Sequence, residues 1–349
     1  MKKGITLKDI ARKLNMSIST VSKSLNDDGA ISILTKERVK KLAKEWNYIP
    51  NESARHFKLN KSFTIGLILP DLLDPFFVVA INGVEEIAVK EDYNMILTQS
   101  HEDIKKEEKI ANVMISNRVD GVIVAVTKNT VDMTLFQKLK SMGMPVVCIA
   151  RGLPDDNFVY VSANNVEGAS KATNFLIKRK HKRIAHIMGP KTLQISQSRY
   201  EGYKQALKKN KIPLDLQLVK EVDFSKNETE KAMHELMQSE SPPTAIFTFK
   251  NLITLDAIEF LKKKHPEKLN SIDFTDFGNL PLFNYLHFKP IASIEEDFYE
   301  MGKQAAILLF QMIKEENLPQ NEKHKNINIE IPCKLVIHKK NTSKSSLLE

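Results

Sequence analysis

Residues 6–27 read TLKDIARKLNMSISTVSKSLND, and this stretch decides the architecture of the N-terminal part of the chain. Leu7, Ile10, Ala11 and Leu14 recur at i, i+3, i+4 and i+7, the one-face spacing of an amphipathic helix. Thr6 stands at the N-cap, and Asp9 three residues later completes a capping-box pattern. Asn15-Met16 breaks the pattern, and Ser17 is a second N-cap. A short helix to Leu25 follows, with Val21, and in part Leu25, turned inward. A third helix begins after Thr35 and carries Val39, Leu42, Ala43 and Trp46 on one side. Tyr48-Ile49-Pro50 ends it, because the residue before a proline disfavours helix. Two helices joined by a tight turn within about twenty residues form the helix-turn-helix layout. Residues 1–50 therefore read as an all-α head.

Charge is concentrated at the same end. The 349 residues carry a net +9, and residues 1–62 hold 14 Lys and Arg against 6 Asp and Glu, leaving 38 against 37 in the rest. An excess so placed is the footprint of a surface that neutralises phosphates. The chain is too long for one core, and its 42% hydrophobic residues suffice for two or three. The opening MKKGITLKDIARKL has no apolar run, so no secretory signal is expected. No stretch approaches the roughly 18 apolar residues of a membrane helix. Cys148 and Cys333 sit in apolar, strand-like contexts without metal-ligand spacing, as reduced core thiols of a cytoplasmic protein would. Glycine-rich phosphate loops, a nucleophile elbow, HExxH and paired cysteines are all missing. The expectation is a protein that is not an enzyme and uses neither cofactor nor metal.

Beyond residue 63 the pattern changes. TIGLIL (64–69), NMILTQ (94–99), GVIVAV (121–126) and PVVCIA (145–150) read as buried parallel strands, separated by helical spacing over 76–91, 103–117 and 132–143. RIAHIM, LQLVKE, AIFTF and SIDFTDF resume the alternation from residue 183 onward. The body is therefore α/β, built of two successive doubly wound parallel sheets.

The string at 6–27, with ARHFKLNKSFTIGLILPD at 54–71, resembles the DNA-binding head, hinge and first body strand of the lac repressor family. NNVEGASKATNFLIKRKHKRIAHIMG, SRYEGYKQAL and YEMGKQAAILL resemble its recurring body segments, so the resemblance runs over essentially the whole chain. It implies a head at 1–50, a hinge at 51–62 and a two-lobed, periplasmic-binding-protein-like body at 63–341, followed by a tail at 342–349. With crossovers near Ser162, Ile291 and Asn321, the first lobe would be 63–162 plus 291–321, and the second 163–290 plus 322–341.

The resemblance also assigns roles. Ile18, Ser19 and Lys23 match base-reading positions of a recognition helix in the major groove: apolar contact, a small donor or acceptor, and a cation suited to guanine or phosphate. Thr6, Ser17, Thr20, Ser22 and Asn26 match backbone-contacting positions, where short polar side chains fix register. Ala54, Arg55 and Phe57 fall at the hinge's DNA contacts. Phe57 stands where a wedge leucine is usual, and phenylalanine is among the side chains that unstack base steps. In the body, Phe76, Phe77, Arg151, Arg199, Lys250 and Gly278 fall on the pocket. Family carboxylates are replaced at Ala150 and Gly278, and a common asparagine is Lys250. Lys250 beside Arg199 would make the cleft cationic and favour an anionic sugar derivative.

A homodimer on a pseudo-palindromic operator of double-stranded DNA is the implied assembly, since the tail HKKNTSKSSLLE has no leucine heptads. The implied activity is that of an allosteric transcription regulator, a repressor of a catabolic operon controlled by a small ligand. A constitutive DNA binder with a vestigial pocket and a solute-binding protein are the competing readings.

Overall fold

The computed structural model describes residues 5–48, 61–153, 157–315 and 328–339. The chain divides into two compact units, Met1–Ser62 and Phe63–Glu349.

The first unit holds α1 (Leu7–Leu14), α2 (Ile18–Leu25) and α3 (Ile33–Glu45). Thr6 and Asp9 close a full capping box on α1, and Asn15 ends that helix in the left-handed region, which asparagine tolerates. Ser17 caps α2 by accepting from the Thr20 amide. The third helix starts earlier than expected, at Ile33, because the Ser32 hydroxyl accepts from the Thr35 amide. Ile10, Ala11, Val21, Val39, Leu42 and Ala43 form the buried core, with Leu25 and Trp46 packed against it.

The second unit contains two six-stranded sheets. Its elements run β1 (Thr64–Leu69), α4 (Pro75–Lys90), β2 (Asn94–Gln99), α5 (Ile104–Ser116), β3 (Gly121–Val124), α6 (Thr134–Ser141), β4 (Val146–Ile149) and β5 (Val159–Ala163). Next come α7 (Asn165–Lys178), β6 (Ile184–Met188), α8 (Gln194–Lys209), β7 (Val219–Glu221), α9 (Lys226–Gln238), β8 (Ala245–Thr248), α10 (Asn251–Lys264) and β9 (Asp273–Phe277). The last are β10 (Ala292–Glu295), α11 (Phe298–Glu315), β11 (Ile329–Ile331) and β12 (Lys334–Ile337). The sheet orders are β11-β5-β4-β3-β1-β2 and β12-β10-β9-β8-β6-β7. The pairings are parallel except that β12 runs antiparallel to β10. Helices cover both faces of each sheet, so β3, β4 and β8 are buried along their whole length and read as unbroken apolar runs.

Two expected crossovers move. β10 pairs with β9, so the chain leaves the second sheet at Glu296-Asp297, not near Ile291. The third passage was expected near Asn321, which lies outside the described residues. Ile329–Ile331 still pairs with β5 of the first sheet, and Lys334–Ile337 pairs with β10 of the second, so that passage runs through Pro332-Cys333. Proline has no amide hydrogen to give a sheet, which suits a strand exchange there. Cys333 is therefore a buried connector residue and not part of a strand. The first passage follows Ala163, beside the expected Ser162. Among the described residues, the first lobe is thus 63–153, 157–163, 298–315 and 329–331, and the second 164–295 and 334–337.

The first lobe is tied together by the crossing of α4 and α11. A Cβ on Gly83 would lie 2.1 Å from the Tyr299 carbonyl oxygen, and one on Gly302 would lie 2.1 Å from that of Ala80. Both obstacles are backbone, so neither can move without separating the helices. Gly302→Ala is expected to lower body stability by about 1–3 kcal/mol through overpacking. The denaturant midpoint measures this, and an unchanged midpoint would show that the crossing yields freely.

Candidate functional site

At roughly 100° per residue, α2 divides into two faces. Val21 and Ser24 are buried, and the Ser24 hydroxyl is tied to the Thr20 carbonyl, which explains a small polar residue on the inward side. Ser19, Ser22, Lys23 and Asn26 fall on the opposite arc, with Ile18 at its edge. Ile18 is 44% exposed, which decides against a core role for it. Ser19 and Lys23 are exposed, and among the described residues Lys23 has only a loose ion-pair partner, Asp28 at 3.9 Å. Asn26 donates to the Ser22 carbonyl. Thr20 is half-buried, with its hydroxyl 2.8 Å from that of Ser17. Thr6 and Ser17 cap their helices yet stay exposed, so capping leaves them open to a second contact. Ala54, Arg55 and Phe57 lie outside the described residues.

The body brings Phe76, Phe77, Ala150, Arg151, Arg199 and Lys250 to one cleft between the lobes, together with Asp74, Phe249, Glu296 and Phe298. The space left among them is about 50 Å³, far below the roughly 300 Å³ of an ordinary small-molecule site. The cleft is closed on its own side chains. Phe76 stacks on Phe298 at 5.2 Å, and Phe224 stacks on Phe249 at 5.1 Å. Gly278 makes this possible: at φ +101°, its Cβ would fall 2.6 Å from the Phe76 ring. A carboxylate-bearing residue there would expel Phe76. Ala150 is in the left-handed region at φ 59°, and the next amide, of Arg151, bonds back to the Ile149 carbonyl. This tight, strained turn aims Arg151 into the cleft.

The electrostatics correct one expectation. Arg199 is 4% exposed and fully engaged: it donates to Asn165 (2.8 Å), to the Phe249 carbonyl (2.6 Å) and to Glu296 (2.8 Å). Its guanidinium lies 3.6 Å from the Phe277 ring centroid and 4.5 Å from that of Phe249. Burial pulls the Arg199 pKa down and pushes that of Glu296 up, while their mutual attraction opposes both shifts. Arg151 is likewise held, 2.6 Å from Glu102. Arg199 and Lys250 therefore do not act together as free cations. Of the three, only Lys250 has a loose partner, Asp74 at 3.9 Å across the cleft. Burial lowers the Lys250 pKa, and Asp74 opposes that shift.

Further contacts bridge the lobes at the mouth. The Lys128 ammonium donates to the Asp223 carbonyl, and its own carbonyl accepts from Thr192. The loop carrying Lys128 is fixed from behind by buried Glu107, which accepts from the Thr127 amide and the Thr130 hydroxyl.

A capped helix pair presenting one polar, basic face, joined in sequence to a two-lobed body with a cleft, is matched along the chain by known families. Residues 6–51 match the bacterial regulatory proteins of the lacI family, and residues 62–339 match the periplasmic binding proteins and sugar binding domain of the LacI family. The chain belongs to the lacI family. It is a helix-turn-helix, DNA-binding transcription regulator with an effector-binding body. It is 30% identical to the transcriptional repressor CytR of Escherichia coli K12, over 88% of this chain and 90% of that one. The ribose operon repressor of Bacillus subtilis is 33% identical, over 90% of this chain and 94% of its own. Among solved structures, a complex of the regulator CelR with cellobiose has a TM-score of 0.71 at 25% identity, covering 95% of this lacI-family chain and 98% of that one.

Sequence reasoning missed Asp74, Glu102, Phe224, Phe249, Glu296 and Phe298 in the cleft of this lacI-family body. Asp74 had a signal, since Asp-Pro before an apolar helical run is a helix start. Glu296 had none, because its partner Arg199 is 97 residues away in sequence. Among the described residues no helix is long and apolar enough to cross a membrane.

Proposed function

We propose that this regulator represses a catabolic operon from the cytoplasm as a homodimer. It binds a pseudo-palindromic operator and responds to a small effector held between the lobes. It performs no catalysis. The observation that carries the reading is the outward face of α2, where exposed Ile18, Ser19 and Lys23 are backed by a buried Val21 and Ser24. Ile18 would touch a thymine methyl, Ser19 and Lys23 would read base edges, and Thr6, Ser17, Thr20, Ser22 and Asn26 would hold phosphates. Ala54, Arg55 and the wedge Phe57 would engage the minor groove. Effector binding would change the lobe angle and so the order of the hinge pair, a coupling of about 1–3 kcal/mol.

Selection of duplexes from a random pool by the full chain, followed by binding at fixed salt, tests this. Lys23→Ala is expected to cost about 1–3 kcal/mol and to relax preference at one base pair of each half-site. Uniform weakening across all sequences would make Lys23 a phosphate contact instead. A pool with no enriched motif would remove the operator-binding role.

The cleft's small volume favours one competitor, a constitutive binder whose pocket has closed for good. Ligands that bind only the folded state raise its melting temperature. A panel of pentoses, hexoses and their acids, applied to the full chain, separates the two readings. A saturable rise that also alters operator affinity supports effector control, and no rise with any compound supports the constitutive binder.

A further inference from the structure

The cations of the cleft are not equal. Arg199 and Arg151 are each paired with a carboxylate at hydrogen-bond distance, whereas Lys250 occupies a position that makes little sense as pure scaffold. It is the N-cap of α10, a 14-residue helix, and its side chain makes no capping hydrogen bond. A lysine cannot accept from the first-turn amides, and its positive charge opposes the positive end of the helix dipole. The ammonium lies 4.6 Å from the Phe224 ring centroid and faces the cleft. Beside it, the first residue of the helix is Asn251, 2% exposed, whose side-chain amide nitrogen has no hydrogen-bond partner among the described residues. That nitrogen lies 2.7 Å from where a Cβ on Gly278 would be, and the Phe76 ring lies 2.6 Å from the same point. A buried donor without an acceptor is costly and calls for an explanation.

We infer that the N-terminus of α10, with Lys250 and Asn251, is an oxyanion subsite for a carboxylate or phosphate group of the effector. The inference rests on the ligand-controlled reading proposed above and names the chemistry of that ligand. Three kinds of donor sit at that helix start: the Lys250 ammonium, the orphaned Asn251 amide and the first-turn N–H groups, which a helix leaves without intrahelical partners. An anion satisfies all of them at once, and cancels the mismatch between Lys250 and the dipole.

The structure also supplies an internal occupant. Asp74, from the other lobe, caps α4 with one carboxylate oxygen and presents the other to Lys250 at 3.9 Å. That distance is beyond a hydrogen bond, so the contact is a weak stand-in across the closed cleft. An entering oxyanion displaces Asp74 from Lys250 and exchanges a lobe-to-lobe contact for a ligand contact. The subsite is therefore coupled to lobe angle by its composition.

The test is a titration of the full chain with inorganic phosphate, D-ribonate and D-ribose, followed by melting temperature and calorimetry. Phosphate or ribonate is expected to stabilise the wild type saturably, and the stronger of the two identifies the oxyanion. Lys250→Met should weaken that binding by at least about tenfold, the value of a charge-assisted hydrogen bond. Lys250→Arg should retain most of it. Asp74→Asn, which keeps a capping side chain but removes the internal anion, should tighten it several-fold, a gain that misfolding cannot produce. Oxyanion binding unchanged in both Lys250→Met and Asp74→Asn overturns the subsite. So does a wild type and Asp74→Asn pair that respond to neither oxyanion. If D-ribose alone stabilises the chain, the ligand-controlled reading stands and only the subsite falls.

Discussion

Glu296→Ala is expected to destabilise the body by about 3–5 kcal/mol, the cost of leaving a buried charge without its partner. Arg199 is at the centre of the second lobe's cleft wall, pressed between Phe249 and Phe277 and 4% exposed. Without Glu296 it keeps bonds to Asn165 and to the Phe249 carbonyl, but neither neutralises it. Urea unfolding of the full chain, followed through the body transition, measures the loss. Replacing both partners, Arg199→Met with Glu296→Leu, should recover most of it, because the pair's attraction mainly offsets the desolvation of its own charges. A single-variant loss below about 1 kcal/mol would mean that the guanidinium escapes to solvent, and the pair would then not be what holds the cleft wall.

Asp276→Asn is expected to do the opposite and raise stability at neutral and alkaline pH. Asp276, on β9, is fully buried. One carboxyl oxygen accepts from the Thr254 hydroxyl at 2.9 Å, and the other has no donor among the described residues. Burial pushes its pKa up from 3.8 to about 8, and the hydroxyls of Ser293 and Thr254, which favour the ionised form, offset only part of this. Between those two values folding takes up a proton, so stability falls as pH rises, by about 1.4 kcal/mol per unit. The asparagine variant lacks that proton. Its advantage over the wild type should therefore grow from pH 5 to pH 8 and then level off. Glu107 is shifted in the same direction by burial and remains in both proteins, so the difference between them isolates Asp276. His186 acts on the other side. Burial lowers it from 6.5 to about 4, so its contribution is lost only as pH falls through that range. Parallel melting curves for the two proteins across pH 5–9 would show that Asp276 is ionised and compensated in the native state.

The head was legible except at the start of its third helix, read as following Thr35 where the Ser32 cap begins it at Ile33. Its caps and turns depend on side chains within four positions of the backbone groups they satisfy, as at Thr6–Asp9, Ser17–Thr20 and Ser32–Thr35. The buried strands were legible for a related reason, since a sheet covered on both faces demands unbroken apolar runs such as GVIV and VVCI. Recognition of the family followed from the order of these local signals. The second and third strand exchanges were not legible. ASIE at 292–295 has the composition of a strand in either sheet, and only its pairing with Thr275–Phe277 assigns it to the second. The cleft was half legible: its ligand-facing positions could be carried over by resemblance, but their partners could not. Whether Arg199 is a free cation depends on Glu296, and whether Phe76 fills the pocket depends on the missing side chain of Gly278. Sequence by itself fixes what each segment can form, because capping, periodicity and chain stiffness act over a few residues. The tertiary structure decides which charges are spent and which remain available, because burial and pairing are set by residues that meet only when distant segments pack together.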